Sequence, residues 1–396
     1  MSKPELLARD SVANVLRVGA NALFAVAVTP FVLRALPREA YSAWILAVGL
    51  AAYVGLAELG IQGAVVRRVA ADRANGVDVQ GVLRSSMAVL LAAGVIAGVA
   101  VVALSREGSW LFAAVPEHWR HEAVSSFRIL GVCGALSLPG SALNGYFSAV
   151  HRALVPSLIN LVTKVVSGVT IVLLVRRGSS LPVLAAVNGG ASVLVAFLLW
   201  LVAGHALGFR ALSVRKAQWG HLREMRGDAL TFVWWSVALV AITGLDSVIV
   251  SRVDFVAVGS FGVAAQLVSL VLATYAAMVM PLLPLMSGAA ASTAPSKRTL
   301  DDYLTRASNA SCGVLAVAVS VLFAGAPYLM RLYGGAAYAH DATVFLRVLL
   351  VGTFLRQSPA VLAMLMVATG QHRRVRIAPF VEGTTNVAAS LVLAHF

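Results

Sequence analysis

The sequence predicts an all-α polytopic membrane protein made of two pseudo-repeated helical lobes. Three observations predict it. First, 59% of the 396 residues are hydrophobic and only 12% are charged, with a mean hydropathy of +0.86. A soluble globular domain carries about 25% charge. Second, apolar stretches long enough to cross a bilayer recur from one end of the chain to the other. Third, the chain echoes itself. His121-Glu122-Ala123-Val124-Ser125-Ser126-Phe127-Arg128-Ile129-Leu130 aligns with His340-Asp341-Ala342-Thr343-Val344-Phe345-Leu346-Arg347-Val348-Leu349 at a constant offset of 219, with four of ten pairs identical. Pro139 then matches Pro359, and His151-Arg152 matches His372-Arg373. In membrane transporters, such a repeat builds two similar bundles with the substrate between them.

The apolar segments fall at about 11–33, 40–66, 83–104, 122–150, 153–175, 181–203, 227–251, 256–287, 303–324, 343–369 and 377–396, which makes eleven. They are too long for barrel strands, and hydrocarbon offers no partner to an open backbone, so they are predicted as helices. The polar stretch at about 204–226, rich in Arg and His, divides them. This gives a six-helix lobe over residues 1–205, a cytoplasmic linker over 206–226, and a five-helix lobe over 227–396. An interfacial helix is expected from Ser213 to Arg226. The repeat calls for a twelfth helix after Phe396. Met1 to Asp10 is polar and the first apolar stretch is long enough to span, so no cleavable signal peptide is expected.

The formal net charge of +14 would suggest nucleic acid in a soluble protein. In a membrane protein it first reflects the excess of Lys and Arg in cytoplasmic loops. With the N-terminus inside, the inner segments hold eighteen of these residues, among them Arg67, Arg68, Arg73, Arg84, Arg152 and Arg210, against eight outside. That bias predicts a cytoplasmic N-terminus, no nucleic-acid partner, and an anionic cargo or anionic membrane lipids as the remaining use of the charge. Cys133 and Cys312 fall in apolar segments and read as packing residues.

No catalytic constellation appears. The chain has no nucleophile motif, no Walker loop and no metal-spaced His/Cys set. Its longest predicted outside loop, about 105–121, is too short for the catalytic loop of a membrane polymerase. No catalytic residue, metal ligand or cofactor is therefore expected. His121 and His340 are read as repeat-related loop residues.

The informative side chains are ionisable groups within the spans, because these are costly in lipid and turn towards cavities. Arg17 shares one helical face with Asn14 and Asn21. Lys164 lies near the middle of the fifth span, and Arg356 stands in the tenth just before Pro359. These three cations, with Asn14 and Asn21, are the candidate substrate-binding groups; Arg can grip an anionic group bidentately. Snorkelling to the headgroups (for Arg17) and a structural ion pair (for Lys164) are the competing readings. Glu58, Asp246 and Glu382 are candidates for pairing with a deep cation or for binding a coupling proton or sodium ion. Arg128 and Arg347 read as anchors near the outer helix ends. Asn144, Asn160, Asn188, Gln266 and Asn386 read as interhelical hydrogen-bonding groups. Trp44, Trp110, Trp119 and Trp200 read first as interface anchors and only then as sugar-stacking platforms.

Several short runs resemble a known family. They are Pro30-Phe31-Val32-Leu33-Arg34, Ala40-Tyr41-Ser42-Ala43-Trp44, Glu58-Leu59-Gly60 and Val66-Arg67-Arg68 in the first lobe. In the second they are Leu245-Asp246-Ser247-Val248-Ile249-Val250, Val258-Gly259-Ser260-Phe261, Pro281 with Pro284, Leu332-Tyr333-Gly334 and Ala368-Thr369-Gly370-Gln371-His372-Arg373. In order and spacing they resemble the Wzx-type polysaccharide and O-antigen flippases of the MATE-like exporter superfamily. The resemblance implies a V-shaped pair of lobes around a central cavity. It also implies a cargo of undecaprenyl-pyrophosphate-linked oligosaccharide, passed to the outer leaflet for lipopolysaccharide or another surface glycan, alongside polysaccharide polymerase machinery. The family usually has twelve or more helices and this chain shows eleven, so an inactive, truncated member is one alternative. A MATE-type drug or cation antiporter of the same fold is the other.

Overall fold

The computed structural model describes residues 19, 24–58, 60–106, 109–214, 246–279, 297–362, 381–386 and 388. The described residues are helical throughout, without strands. A π-helical turn, Phe24–Val28, leads into α1 (Thr29–Ala35). The first lobe continues with α2 (Arg38–Ala52), α3 (Ile61–Ala74), α4 (Gln80–Leu104), α5 (Glu117–Ser137), α6 (Pro139–Ala149), α7 (Leu154–Arg176) and α8 (Leu181–Leu207). The second holds α9 (Asp246–Val253), α10 (Ala257–Val279), α11 (Lys297–Gly334), α12 (Ala336–Gln357) and helical residues 381–386. Among the described residues, seven helices are long and apolar enough to cross a membrane, or eight if α5 and α6, bent by 44°, count as one span. The first, seventh and eleventh predicted segments, and the expected interfacial helix, lie mostly or wholly outside the described residues.

Two described helices of the first lobe recur in the second in the same register. Arg38 and Ala257 open α2 and α10, while Glu117 and Ala336 open α5 and α12; both pairs are 219 residues apart. The packing repeats as well. In the first lobe α5 lies against α2 and α4; in the second α12 lies against α10 and α11. The offset read from His121–Leu130 is therefore the register of the helices. It also corrects one expectation: His121 and His340 are not loop residues but the fifth residues of α5 and α12. The helices begin earlier than the apolar runs suggested because Pro116 and Gly335, not the polar first turns, set their starts.

Connections 36–37, 105–116, 177–180 and 254–256, together with Gly335, gather on one side of the molecule, called here the Pro37 side. Connections 75–79, 150–153 and 208 gather on the opposite, Asn75 side.

Arg128 and Arg347, the repeat-related arginines, each tie their helix to the one before it. Arg128 donates to the Oγ and carbonyl of Ser105, the C-cap of α4, at 2.9 and 2.7 Å. Arg347 donates to the carbonyl of Phe323 at 3.2 Å and lies over the Phe323 ring, 5.0 Å from its centroid. The two carbonyls are open for different reasons. Ser105 ends a helix, where carbonyls lack intrahelical donors. Phe323 precedes Pro327 by four residues inside α11, and proline has no N–H to give it. Arg347→Ala is expected to cost about 1 kcal/mol, the worth of one such hydrogen bond, and Pro327→Ala should shrink that cost by restoring the helical bond. A double-mutant cycle of thermal unfolding in detergent checks this; additive costs would refute the compensation.

Candidate functional site

Polar residues at two levels define the site: a junction between the lobes and, deeper, a pair of adjoining cavities.

The junction is on the Pro37 side. Described elements of the two lobes meet where α2 faces α9 and α10 and where α1 faces α11. Close approach is possible because small residues face the partner helix. A side chain built on Gly262 would come within 2.6 Å of Ile45, and one on Gly259 within 3.0 Å of the Ser42 hydroxyl. Ser42, fully buried, donates to the carbonyl of Val256 and accepts the backbone N–H of Gly259, both at 3.0 Å. Gly259 lies in the first turn of α10, so the first lobe caps a helix of the second.

Around this cap lie charged and aromatic contacts. Arg38 pairs with Asp341 at 2.7 Å, and its guanidinium lies 5.2 Å from the centre of the Tyr338 ring. Tyr338 meets Tyr41 edge-on at 6.0 Å. Arg34 donates to the carbonyl of Leu332, and Arg252 donates to the carbonyl of Trp110.

Below the junction, a cavity of about 410 Å³ lies between the lobes, with Tyr41, Trp44, Ser247, Phe261 and Gln266 in its walls. Trp44 is thus not an interface anchor: the seventh residue of α2, it faces the other lobe. Gln266 likewise faces this space. Phe24 and Asn188 line it too, and both also line a second cavity of about 360 Å³ inside the first lobe.

The second cavity is strongly polar for its depth. Glu58, Gln62, Asn144, Asn160, Lys164 and Asn188 converge on it from α3, α6, α7, α8 and the 3₁₀ turn Tyr53–Glu58. Asn160 spends one donor on the carbonyl of Pro156 at 2.8 Å, and Lys164 Nζ stands over Phe24, 5.7 Å from its ring centre. The structure thus brings two sequence candidates, Lys164 and Glu58, into one cavity. It adds three asparagines that the sequence offered only as interhelical hydrogen-bonding groups. The signal for them was available: Asn160 and Lys164 are one turn apart on α7.

The remaining candidates divide. Asn14, Arg17 and Asn21 lie outside the described residues. Arg356 stands at the end of α12, where the helix stops ahead of Pro359, and pairs with Glu382 at 2.6 Å. Asp246 accepts from Asn386 at 3.3 Å. Neither Arg356, Asp246 nor Glu382 lines the two cavities. Among the described residues no group of three or more His, Cys, Asp or Glu side chains could hold a metal ion.

The sequence profile of a family described as polysaccharide biosynthesis protein matches residues 7–290, well over half the chain. The chain belongs to that family. No curated protein sequence matches it. Among solved structures, this family member is similar to an inward-facing multidrug-resistance MATE transporter of the MOP superfamily, at 14% identity over 98% of both chains and a TM-score of 0.65. The outward-facing form of such a transporter matches at 15% identity over 99% of this chain and 88% of that one, with a TM-score of 0.62. A MOP superfamily transporter from Pyrococcus furiosus, for which a binding pocket of reversed polarity is described, matches at 16% identity over 99% and 88%, with a TM-score of 0.59. At these identities the likeness establishes the fold: the family member has a MATE-like fold of membrane-spanning helices.

The Arg38–Asp341 pair is more than one-third exposed on both sides, so its worth is under about 1 kcal/mol. Asp341→Ala should therefore increase opening at the Pro37 side about two- to fivefold. The measure is maleimide labelling of a single cysteine at Gln266 from that side, with Cys133 and Cys312 replaced by Ala. The swap Arg38→Asp with Asp341→Arg should restore wild-type labelling; labelling unmoved by either change would remove the pair from the junction's energetics.

Proposed function

We propose that this transporter is a flippase that carries polyprenyl-pyrophosphate-linked oligosaccharide from the cytoplasmic to the outer leaflet of a bacterial inner membrane, for surface polysaccharide synthesis. The observation that carries the reading is the polar cavity of the first lobe, with Lys164 in its wall and with Phe24 and Asn188 shared with the cavity between the lobes. A hydrated, anionic headgroup cannot cross hydrocarbon unaided, because each bare polar group costs several kcal/mol there. Lys164 offers the diphosphate a positive point charge, and the carboxamides of Asn144, Asn160 and Asn188 offer sugar hydroxyls both donors and acceptors. The isoprenoid tail stays in the bilayer beside the lobes.

The junction supports a mechanism of alternating access. With the N-terminus cytoplasmic, the Pro37 side faces outwards, and the contacts of Ser42, Arg38 and Tyr41 hold it shut. Rocking of one lobe on the other would break these contacts and open the cavity outwards. The matches to both an inward- and an outward-facing transporter fit a fold with two such states. Glu58 lines the same cavity as Lys164, which supports a role for it in binding a coupling proton or sodium ion. It is also the observation that favours the second reading, a MATE-type drug or cation antiporter, in which the acid and not the lysine would contact the cargo.

Complementation separates the two readings. In a bacterium lacking its own flippase but making the matching lipid-linked sugar, the chain should restore surface glycan and clear the accumulated intermediate. Lys164→Ala should lower export at least tenfold at normal membrane abundance, with Lys164→Arg retaining part of it. Full export by Lys164→Ala, together with lost cation efflux in Glu58→Gln, would favour the antiporter.

Arg356 is tested differently because it is paired. Arg356→Ala should reduce folded protein by stranding Glu382, and the double change Arg356→Ala with Glu382→Ala should recover it. Export that stays low while the recovered protein reaches normal abundance would return Arg356 to the cargo path.

A further inference from the structure

The turn around His151 and Arg152 has no part in the transport reading, yet its geometry is unusual. His151 is the described non-glycine residue with a left-handed backbone, φ 56°, a conformation costly for a side chain with a Cβ and concentrated at functional sites. It sits between α6 and α7 on the Asn75 side, and its neighbour Arg152 is fixed through its own N–H to the carbonyl of Phe147 at 2.8 Å. The strained turn aims Arg152 at a cavity of about 460 Å³. Arg73 enters the same cavity from the end of α3, and Tyr146 forms part of its wall.

Two guanidinium groups converging on one space repel each other. Nearby arginines are occupied: Arg68 pairs with Asp72 at 3.1 Å, and Arg84 donates to Gln80 at 2.8 Å and to the carbonyl of Arg210. Arg73 and Arg152 are exposed and have no side-chain partner among the described residues. The one acid lining the cavity, Asp78, accepts the N–H of Gln80 at 3.1 Å and so caps α4. The N-termini of α4 and α7, long helices with positive dipole ends, open on the same side.

We infer that Arg73, Arg152 and the strained His151 turn form a phosphate-binding site at the membrane surface, separate from the transport cavities. Guanidinium forks match phosphate oxygens in pairs, and basic pockets at the ends of membrane helices suit phosphodiester headgroups. The phosphate is either that of an anionic lipid or one in solution, and the test distinguishes them.

The whole protein, in nanodiscs of phosphatidylcholine, is titrated with short-chain phosphatidylglycerol and, separately, with inorganic phosphate, and binding is read by native mass spectrometry and by the shift in Tm. Arg73→Gln with Arg152→Gln should weaken binding roughly 30-fold, about fivefold for each arginine at an anionic surface. The paired Lys variant should lose far less, and Arg106→Gln with Arg177→Gln, on the Pro37 side, should lose nothing. Binding of phosphatidylglycerol alone assigns the site to a lipid headgroup; binding of both ligands, each lost in the Gln pair, assigns it to a soluble phosphate. Equal binding by wild type and the Gln pair, or equal loss in the Pro37-side control, overturns the site. If the Gln pair does not survive purification, Arg152→Gln alone carries the test with about a fivefold loss.

Discussion

Hydrocarbon supplies no hydrogen-bond partner, so every break in a membrane helix must be satisfied from within the protein or face a wet cavity. That constraint organises this structure. The second span stops being α-helical at Tyr53–Glu58 and turns at Gly60, whose φ of 64° suits a residue without a Cβ. The fourth span bends by 44° between Ser137 and Pro139. Both breaks open onto the same cavity: Glu58 lines it from one, Ser137 and Ser141 from the other. At a third irregularity, Pro327, Arg347 donates to the carbonyl of Phe323, which the proline leaves without a helical N–H. Backbone irregularity and polar lining are thus one feature, and they place the cavity in the first lobe.

The junction follows a different economy. Its polar contacts are each small: a half-exposed ion pair is worth under about 1 kcal/mol, and a cation–π contact of similar exposure about 0.5–1. Its strongest element is the buried Ser42, whose hydroxyl would be left without partners if the lobes parted at that point without water entering. Contacts of this size, combined with glycines that let α2 and α10 touch, make a closure in which no single exposed polar contact is costly to break. A junction sealed by a large apolar core could not be undone so readily.

Much of this was legible in the sequence. The offset of 219 is the register between the lobes, repeated in the starts of α2 and α10 and of α5 and α12, whereas the apolar runs placed the starts of α5 and α12 five and seven residues late. Lys164 and Glu58 stood out because charge within an apolar run is conspicuous. The roles of Trp44 and of the histidines were harder to see. Trp44 lies seven residues into its helix, close enough to an end to resemble an anchor, and only the approach of the second lobe shows which way it faces. His121 and His340 looked like loop residues because hydropathy reports where lipid begins, whereas helices extend beyond it into the headgroups. The convergence of Asn144, Asn160 and Asn188 needed three helices in place, which one-dimensional periodicity does not supply.

The two lobes share a plan but use their polar residues in opposite ways. In the second lobe the deep charges are matched within the protein: Arg356 to Glu382, and Asp246 to Asn386, with both partners one turn apart on the helical residues 381–386. These contacts tie helical residues 381–386 to α9 and α12 and line neither of the two cavities. In the first lobe the corresponding expense of polar side chains in lipid goes to surrounding a space, with Glu58, Lys164 and the asparagines around it. Pairs consume hydrogen-bonding capacity, whereas a cavity keeps some of it for whatever enters. One plan therefore accommodates two arrangements of polar groups: among the described residues of the second lobe they close on each other, and in the first lobe they face a shared cavity.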